Sequence, residues 1–338
     1  MRPRLAAGIL AMALLAAPGP AGAAGALHLY NWRNTTSPEL IAKFEAENDV
    51  EVTLTEFDSI GEALARIRAG GHGFDLVVAP ADEVRILIDE GLLLKTRPDR
   101  MANFRNVAAR WRNPRWDPRR RYSVPWVWGA VGMVVDTAIY DGDIDTSAII
   151  FDPPPELAGR IGVVPAMKEI IAMALRYTGA RPCARNEAAL GRVRDLLAAA
   201  RPKWRSIDYG IADNMARGEI AAAAAWRGAA LRARRARASI RFGYPKEGFP
   251  LWMDNLVVLG DAANVAAAKA FQDFVMDPEN AALISAFTGH ASGIDGAEAL
   301  LPGETVVPAR AIRAGVFLPV CPEPVNALYK AIWDGLTK

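Results

Sequence analysis

Trp252 and Asp254 stand two residues apart in the stretch FPLWMDNLVVLG, residues 249–260. The run from Leu256 to Leu259 reads as a buried strand. In an extended chain, residues i and i+2 point to the same side. A large aromatic face and a carboxylate therefore project together from the mouth of an apolar strand. An ionised carboxylate near a protein interior is costly unless it is paired, and a ligand cation could supply the pair. Two further tryptophans, Trp32 and Trp226, and one further acid, Glu169, fall at the ends of other expected strands. Rings and acids together suit an organic cation. An ammonium over a ring gains about 0.5–2 kcal/mol, and it pairs with a carboxylate through charge-assisted hydrogen bonds. Each residue also has an ordinary structural reading: tryptophans fill cores, Asp254 could cap a turn or meet an arginine, and Glu169 could complement a helix dipole.

Catalytic patterns are thin. The chain has no GxSxG, no P-loop, no HExxH and no glycine-rich dinucleotide turn after its first strand. Three histidines are scattered at 28, 72 and 290, and two cysteines, Cys183 and Cys321, make a poor metal site. No metal and no cofactor is expected. An oxidising compartment permits a bridge between the two cysteines, but the sequence alone does not specify one.

The elements that must position these residues alternate at short spacing. Strands are expected at LHLYNW (27–32), VEVTLTEF (50–57) and FDLVVAP (74–80). Helices follow each of them. The first has Ser37 as its N-cap, Pro38 at its first position and Glu39 in its first turn. The second ends at Gly70-Gly71. Residues 105–122 read as loop. A second unit of the same kind begins near residue 130, with IAAAAAW (220–226) as another buried strand and helices near 308–314 and 322–336. This is an α/β pattern. In open α/β sheets ligands bind beyond the carboxyl ends of strands, which singles out Tyr30–Arg33, Ala79–Asp82, Pro165–Glu169, Trp226 and Trp252–Asp254.

The chain of 338 residues begins with MRPRLAAGILAMALLAAPGPAGA. Two arginines, an apolar core too short to span a bilayer comfortably, and small residues form the pattern of a secretory signal peptide. Cleavage after Ala23 removes two arginines and no acid, so the formal net charge falls from +2 to 0. That balance argues against a nucleic-acid partner. The arginine-rich stretches RWDPRRRY (115–122) and RARRARASIR (232–241) read as a solvated loop and helix face.

Five stretches, LYNWRNTTSPELIAKFEAENDVEVTLTEFDS, GFDLVVAPADEV, VPWVWGAVGMVVD, AAAAAWRGAA and YPKEGFPLWMDNLVVL, resemble the periplasmic putrescine- and spermidine-binding proteins of polyamine ABC transporters. The resemblance runs in order from about residue 27 to the C-terminus. It implies a type II periplasmic binding protein: two α/β lobes, each a mainly parallel sheet flanked by helices, with the ligand cleft between them. Lobe 1 is expected at 24–131 plus 246–300 and lobe 2 at 132–245 plus 301–338, after a signal peptide at 1–23. The implied ligand-binding residues are Trp32, Asn34, Asp82, Glu169, Trp226, Trp252 and Asp254. Trp226 and Trp252 match aromatics that sandwich a polyamine stem, Asp254 matches an acid that takes an amino group, and Glu169 matches a second-lobe acid. Asn34 stands where members usually carry an acid, Thr35 where an aromatic often follows, Pro80 where Ser or Thr is usual, and Ala229 where the putrescine-type pattern has an acid. One amine-binding end is intact and the other weakened. The resemblance thus implies a monomeric periplasmic protein, not an enzyme, that captures a polyamine or related organic cation and delivers it to an inner-membrane ABC permease. The alternatives are a same-fold binder of another solute (a monoamine, an agmatine-like cation or an amino-acid derivative) and a secreted enzyme on a two-lobe scaffold.

Overall fold

In the computed structural model the described residues are 25–301 and 307–337. The expected leader lies outside them. Ten strands form one curled, mixed sheet. The first three are β1 (Gly25–Trp32), β2 (Val50–Phe57) and β3 (Leu76–Pro80). They alternate with α1 (Pro38–Asn48), α2 (Ile60–Ala69) and α3 (Ala81–Asp89). Local chemistry explains these starts and stops. The Ser37 and Ser59 side chains accept from the backbone N–H groups of Leu40 and Glu62, closing the first turns of α1 and α2. Gly70, at φ 72°, ends α2.

Next comes β4 (Ser123–Asp136), fourteen residues long and buried throughout. The second unit adds α4 (Ala148–Phe151), β5 (Ile161–Val163), α5 (Met167–Tyr177), α6 (Glu187–Ala200), β6 (Trp204–Ile207) and α7 (Ile211–Ala216). It continues with β7 (Ala222–Trp226), α8 (Arg227–Arg234) and β8 (Ile240–Gly243). The chain then forms β9 (Phe249–Val258), α9 (Val265–Phe274), α10 (Pro278–Thr288), α11 (Ala309–Ile312), β10 (Gly315–Phe317) and α12 (Glu323–Thr337). The alanine run of β7 would favour a helix by propensity alone. Its four alanines are fully buried between β4 and β5, so tertiary context decides.

Parallel pairs lie toward the ends of the sheet, β2–β1–β3 at one end and β7–β5–β6 at the other. Between them β9 and β4 run antiparallel to each other and to β3 and β7, while β10 adds to β9 in parallel. The first part of β4, Ser123 to Ala130, pairs with β9; the rest, from Val131, pairs with β7 and β8. Two hydrophobic cores divide at that point. Ala130 belongs to the first and Val131 to the second. The chain crosses between the cores within β4, again between β8 and β9, and again between β10 and α12. The fold is therefore α/β with two lobes. A disulfide joins Cys183, beyond α5, to Cys321, just before α12. The Tyr329 hydroxyl donates to the Ala184 carbonyl beside it at 3.1 Å.

The stretch read as loop near 105–122 contains short 3-10 turns at Ala102–Asn106 and Ala109–Trp111. Its arginines are not all solvated, as the sequence reading had them. Arg120 is fully buried. Arg119 and Arg120 both adopt positive φ, 65° and 45°, a conformation that costs of order 1–3 kcal/mol per residue unless its surroundings enforce it. Asp117 enforces it: its carboxylate accepts from the backbone N–H groups of Arg121, Tyr122 and Ser123 at 2.8–3.0 Å. Burial lowers the Arg120 guanidinium to about 9, with Asp117 opposing that fall, so it remains charged at neutral pH. The second arginine stretch also meets the protein, through an Arg237–Asp136 ion pair at 3.0 Å.

Candidate functional site

Strand β9 carries the site's best-defined pair. Along it, Leu251, Met253 and Asn255 are buried, while Trp252 and Asp254 between them are only partly so. The expected same-side projection of Trp252 and Asp254 is thus present. Gly129 of β4 pairs with Trp252, and a Cβ at that glycine would lie 2.7 Å from the indole. Glycine is what lets the ring lie flat against the sheet there. Asp254 sits between Val127 of β4 and Pro80 at the end of β3. Its carboxylate has no hydrogen bond or ion pair among the described residues. Burial, with the negative charge of Asp82 nearby, pushes its pKa up to about 7.

Two helices begin at the cleft directly after strands and bring acids to it. Asp82 is in the first turn of α3 and Glu169 in the first turn of α5. Neither helix has a side-chain N-cap. Burial, reinforced by Asp82, raises the pKa of Glu169 against its hydrogen bond to its own backbone N–H. The Lys168 ammonium reaches across to Asp82 at 3.0 Å and to Glu83 at 4.0 Å. Burial opposes its charge, but those acids outweigh burial and hold Lys168 above its usual pKa. Asp82, Lys168, Glu169 and Trp252 line one cavity of about 100 Å³, whose far wall is the segment from Phe317 to Cys321 and the disulfide.

The tryptophans separate by their indole N–H groups. Trp116, Trp126, Trp128 and Trp204 donate to protein oxygens, as buried tryptophans usually do. Trp32 and Trp252 bury theirs with no acceptor among the described residues. Trp32, at the end of β1, packs on Phe57 with ring centroids 4.6 Å apart. Trp226 ends β7 and stacks nearly parallel to Tyr209, with ring centroids 6.0 Å apart and planes 4° from parallel. Asn34 is exposed in a left-handed turn at φ 58°, where its backbone N–H donates to Glu56 at 2.8 Å. Trp32, Asn34, Trp226 and Asp254 do not line the cavity that Asp82, Glu169 and Trp252 share.

Two neighbours of these residues went unnoticed in the sequence. Tyr209, largely exposed, stacks on Trp226. Its position two residues beyond β6 is the strand-end signal that could have found it. His290 meets Trp252 edge to face at 4.8 Å. Burial, with Arg232 and Arg227 adding to it, pushes the His290 pKa down to about 3, so the imidazole is neutral. No local pattern in the sequence marks it. Arg227, adjacent to Trp226, is buried, and its charge bears on His290 and Glu298.

Two lobes joined by crossing strands, with acids and unpartnered indoles at strand ends between them, define a protein that holds a small solute. The family model for bacterial extracellular solute-binding proteins matches residues 39–308, and the chain belongs to that family. It is 30% identical over 296 residues to the spermidine/putrescine-binding periplasmic protein of Escherichia coli, covering 85% of this chain and 82% of that one. It is 28% identical over 285 residues to a putrescine/agmatine-binding protein of Pseudomonas aeruginosa, covering 79% and 78%. Among solved structures, the TpPotD lipoprotein of Treponema pallidum superposes with a TM-score of 0.84 at 26% identity, covering 92% of this chain and 99% of that one.

Proposed function

We propose that the protein captures a polyamine or closely related organic cation between its lobes and delivers it to an inner-membrane ABC permease, without catalysing a reaction. The observation that carries this reading is Asp254: a partly buried carboxyl that meets no cation among the described residues, beside an indole whose N–H has no acceptor among them. An ammonium seated there converts a costly group into a charge-assisted pair. Trp252, Trp32, Trp226 and Tyr209 offer faces for the ammonium and the methylene stem. Glu169 supplies a second acid from the other lobe. The named ligands of the relatives, putrescine, spermidine and agmatine, are of this class.

Export by residues 1–23, residence in the periplasm and action as a monomer belong to the same proposal. So do the lobes at 24–131 plus 246–300 and 132–245 plus 301–338. The two cores support a division within β4 and again between β8 and β9, and Val307 and Ala311 pack into the first core. Ligand binding then closes the lobes about the crossing strands, and the permease recognises the closed form.

A thermal-shift screen of the mature protein tests the reading. Putrescine, cadaverine, agmatine, spermidine and spermine are set against amino acids, choline and sulfate. A ligand at 100 times its Kd adds about 2.7 kcal/mol, which raises Tm by roughly 5–10 °C for a chain of this size. A shift with an amine, abolished in Asp254→Asn, supports the reading. Absence of a shift with every amine contradicts it.

A further inference from the structure

Among the described residues that line the cavity, Lys168 is the one whose charge opposes a cationic ligand. It comes from α5 in the second unit and reaches Asp82 of α3 in the first, at 3.0 Å, with Glu83 at 4.0 Å. Asp82 lies two residues beyond Pro80, the β3 partner of Asp254, and lines one cavity with Glu169; its charge acts on both acids. Asp82 therefore stands near both, and Lys168 pairs with it. Neither Asp254 nor Glu169 has an ion-pair partner within 4.0 Å among the described residues.

We propose that Lys168 is a specificity-determining residue: by holding Asp82 it leaves the cleft with two open acids, Asp254 and Glu169, and so selects a ligand of two positive charges over one of three. This rests on the polyamine reading and sharpens it to a diamine class. Each primary ammonium of a diamine meets one open acid, and its apolar stem passes the neutralised Lys168–Asp82 pair. A triamine carries a further, secondary ammonium. It must sit beside Lys168, where like charges repel, or displace that lysine from Asp82. Discrimination of this kind, by a repulsive group and not only by attractive contacts, is how close analogues are told apart.

The test is calorimetric titration of the mature protein with putrescine and with spermidine, in the wild type, Lys168→Met and Lys168→Arg. The Lys168 side chain is about half exposed, and an unfolding curve for each variant verifies folding. Wild type is expected to bind putrescine more tightly than spermidine. Lys168→Met, which keeps the apolar stem and removes the charge, is expected to move the ratio of the two affinities toward spermidine by about tenfold or more. Lys168→Arg is expected to keep the wild-type preference. A Lys168→Met protein that binds both amines at the wild-type ratio overturns the proposal, as does a wild type that prefers spermidine. Failure of the wild type to bind either amine is a different result: it removes the polyamine reading on which the proposal rests.

Discussion

The two faces of β9 solve the same problem in opposite ways. On one face Met253 and Asn255 meet Arg120, whose guanidinium donates to the Asn255 side-chain oxygen at 2.8 Å, to the Met253 sulfur at 3.2 Å and to the Trp111 carbonyl at 2.6 Å. That buried charge finds its hydrogen-bond acceptors within the chain, and the Asp117 turn holds it in place. On the other face Trp252 and Asp254 present a carboxyl with no cation and an indole with no acceptor among the described residues. A buried charge completed from within serves the fold. One left open at a cleft, on the same strand, is completed from outside. Partnership, more than burial or residue type, separates a structural charge from a binding charge.

Breaking each face should therefore give opposite phenotypes. Asp254→Asn is expected to weaken amine binding by about 2–5 kcal/mol, a loss of roughly thirty-fold to several thousand-fold, while the free protein unfolds at an unchanged or higher temperature. Calorimetry and a melting curve on the same preparation check this. Arg120→Met should do the reverse. Removing one member of a buried charged network costs about 3–5 kcal/mol, read as a lower denaturation midpoint, with amine affinity largely kept in the folded fraction.

The disulfide is a third contrast, outside β9 but walling the cavity that Trp252 also lines. Cys183 and Cys321 are 138 residues apart, and removing a bridge that closes so long a loop costs about 2–5 kcal/mol. A Cys183→Ser, Cys321→Ser double variant is expected to lose that much in denaturant unfolding and to bind the amine more weakly than its stability loss alone explains. Gly129→Ala probes the cleft face alone. Its methyl must displace the Trp252 indole, and overpacking of that kind costs roughly 1–3 kcal/mol; the expected sign is a modest fall in both affinity and Tm, measured by titration and melting.

Acidity sharpens the comparison further. The folded-state pKa of Asp254, about 7, lies above its ordinary value of 3.8. Between those values the folded free protein binds a proton that the unfolded chain has lost. The contribution of Asp254 to stability therefore falls as pH rises from about 4 to 7. Amine affinity runs the other way, because the ligand needs the carboxylate. It should drop by up to about tenfold for each pH unit below 7, and Asp254→Asn should flatten that dependence.

Much of this was legible in the sequence. The alternation of strands and helices, the Ser37 cap and the buried run of β9 follow from local patterns. The i, i+2 placement of Trp252 and Asp254 needed only strand geometry. What stayed hidden depended on distant parts of the chain. Arg120 looked like one solvated arginine among several, since its burial depends on β9, 133 residues or more away. The pairing of Cys183 with Cys321 needed the second lobe's packing. His290 reaches Trp252 from a loop with no motif, and the Lys168–Asp82 contact exists only once the two units face each other.

The most direct test of the central claim is proton release on binding, measured by titrating the protein with putrescine at pH 6 in buffers of different ionisation heat. A carboxyl with a pKa near 7 is mostly protonated at pH 6 and must lose its proton to take an ammonium. The account predicts release approaching one proton per amine from Asp254, and loss of that proton in any residual binding by Asp254→Asn. Binding with no proton released, or with the same release in both proteins, would contradict the claim that Asp254 is the carboxylate the ligand completes.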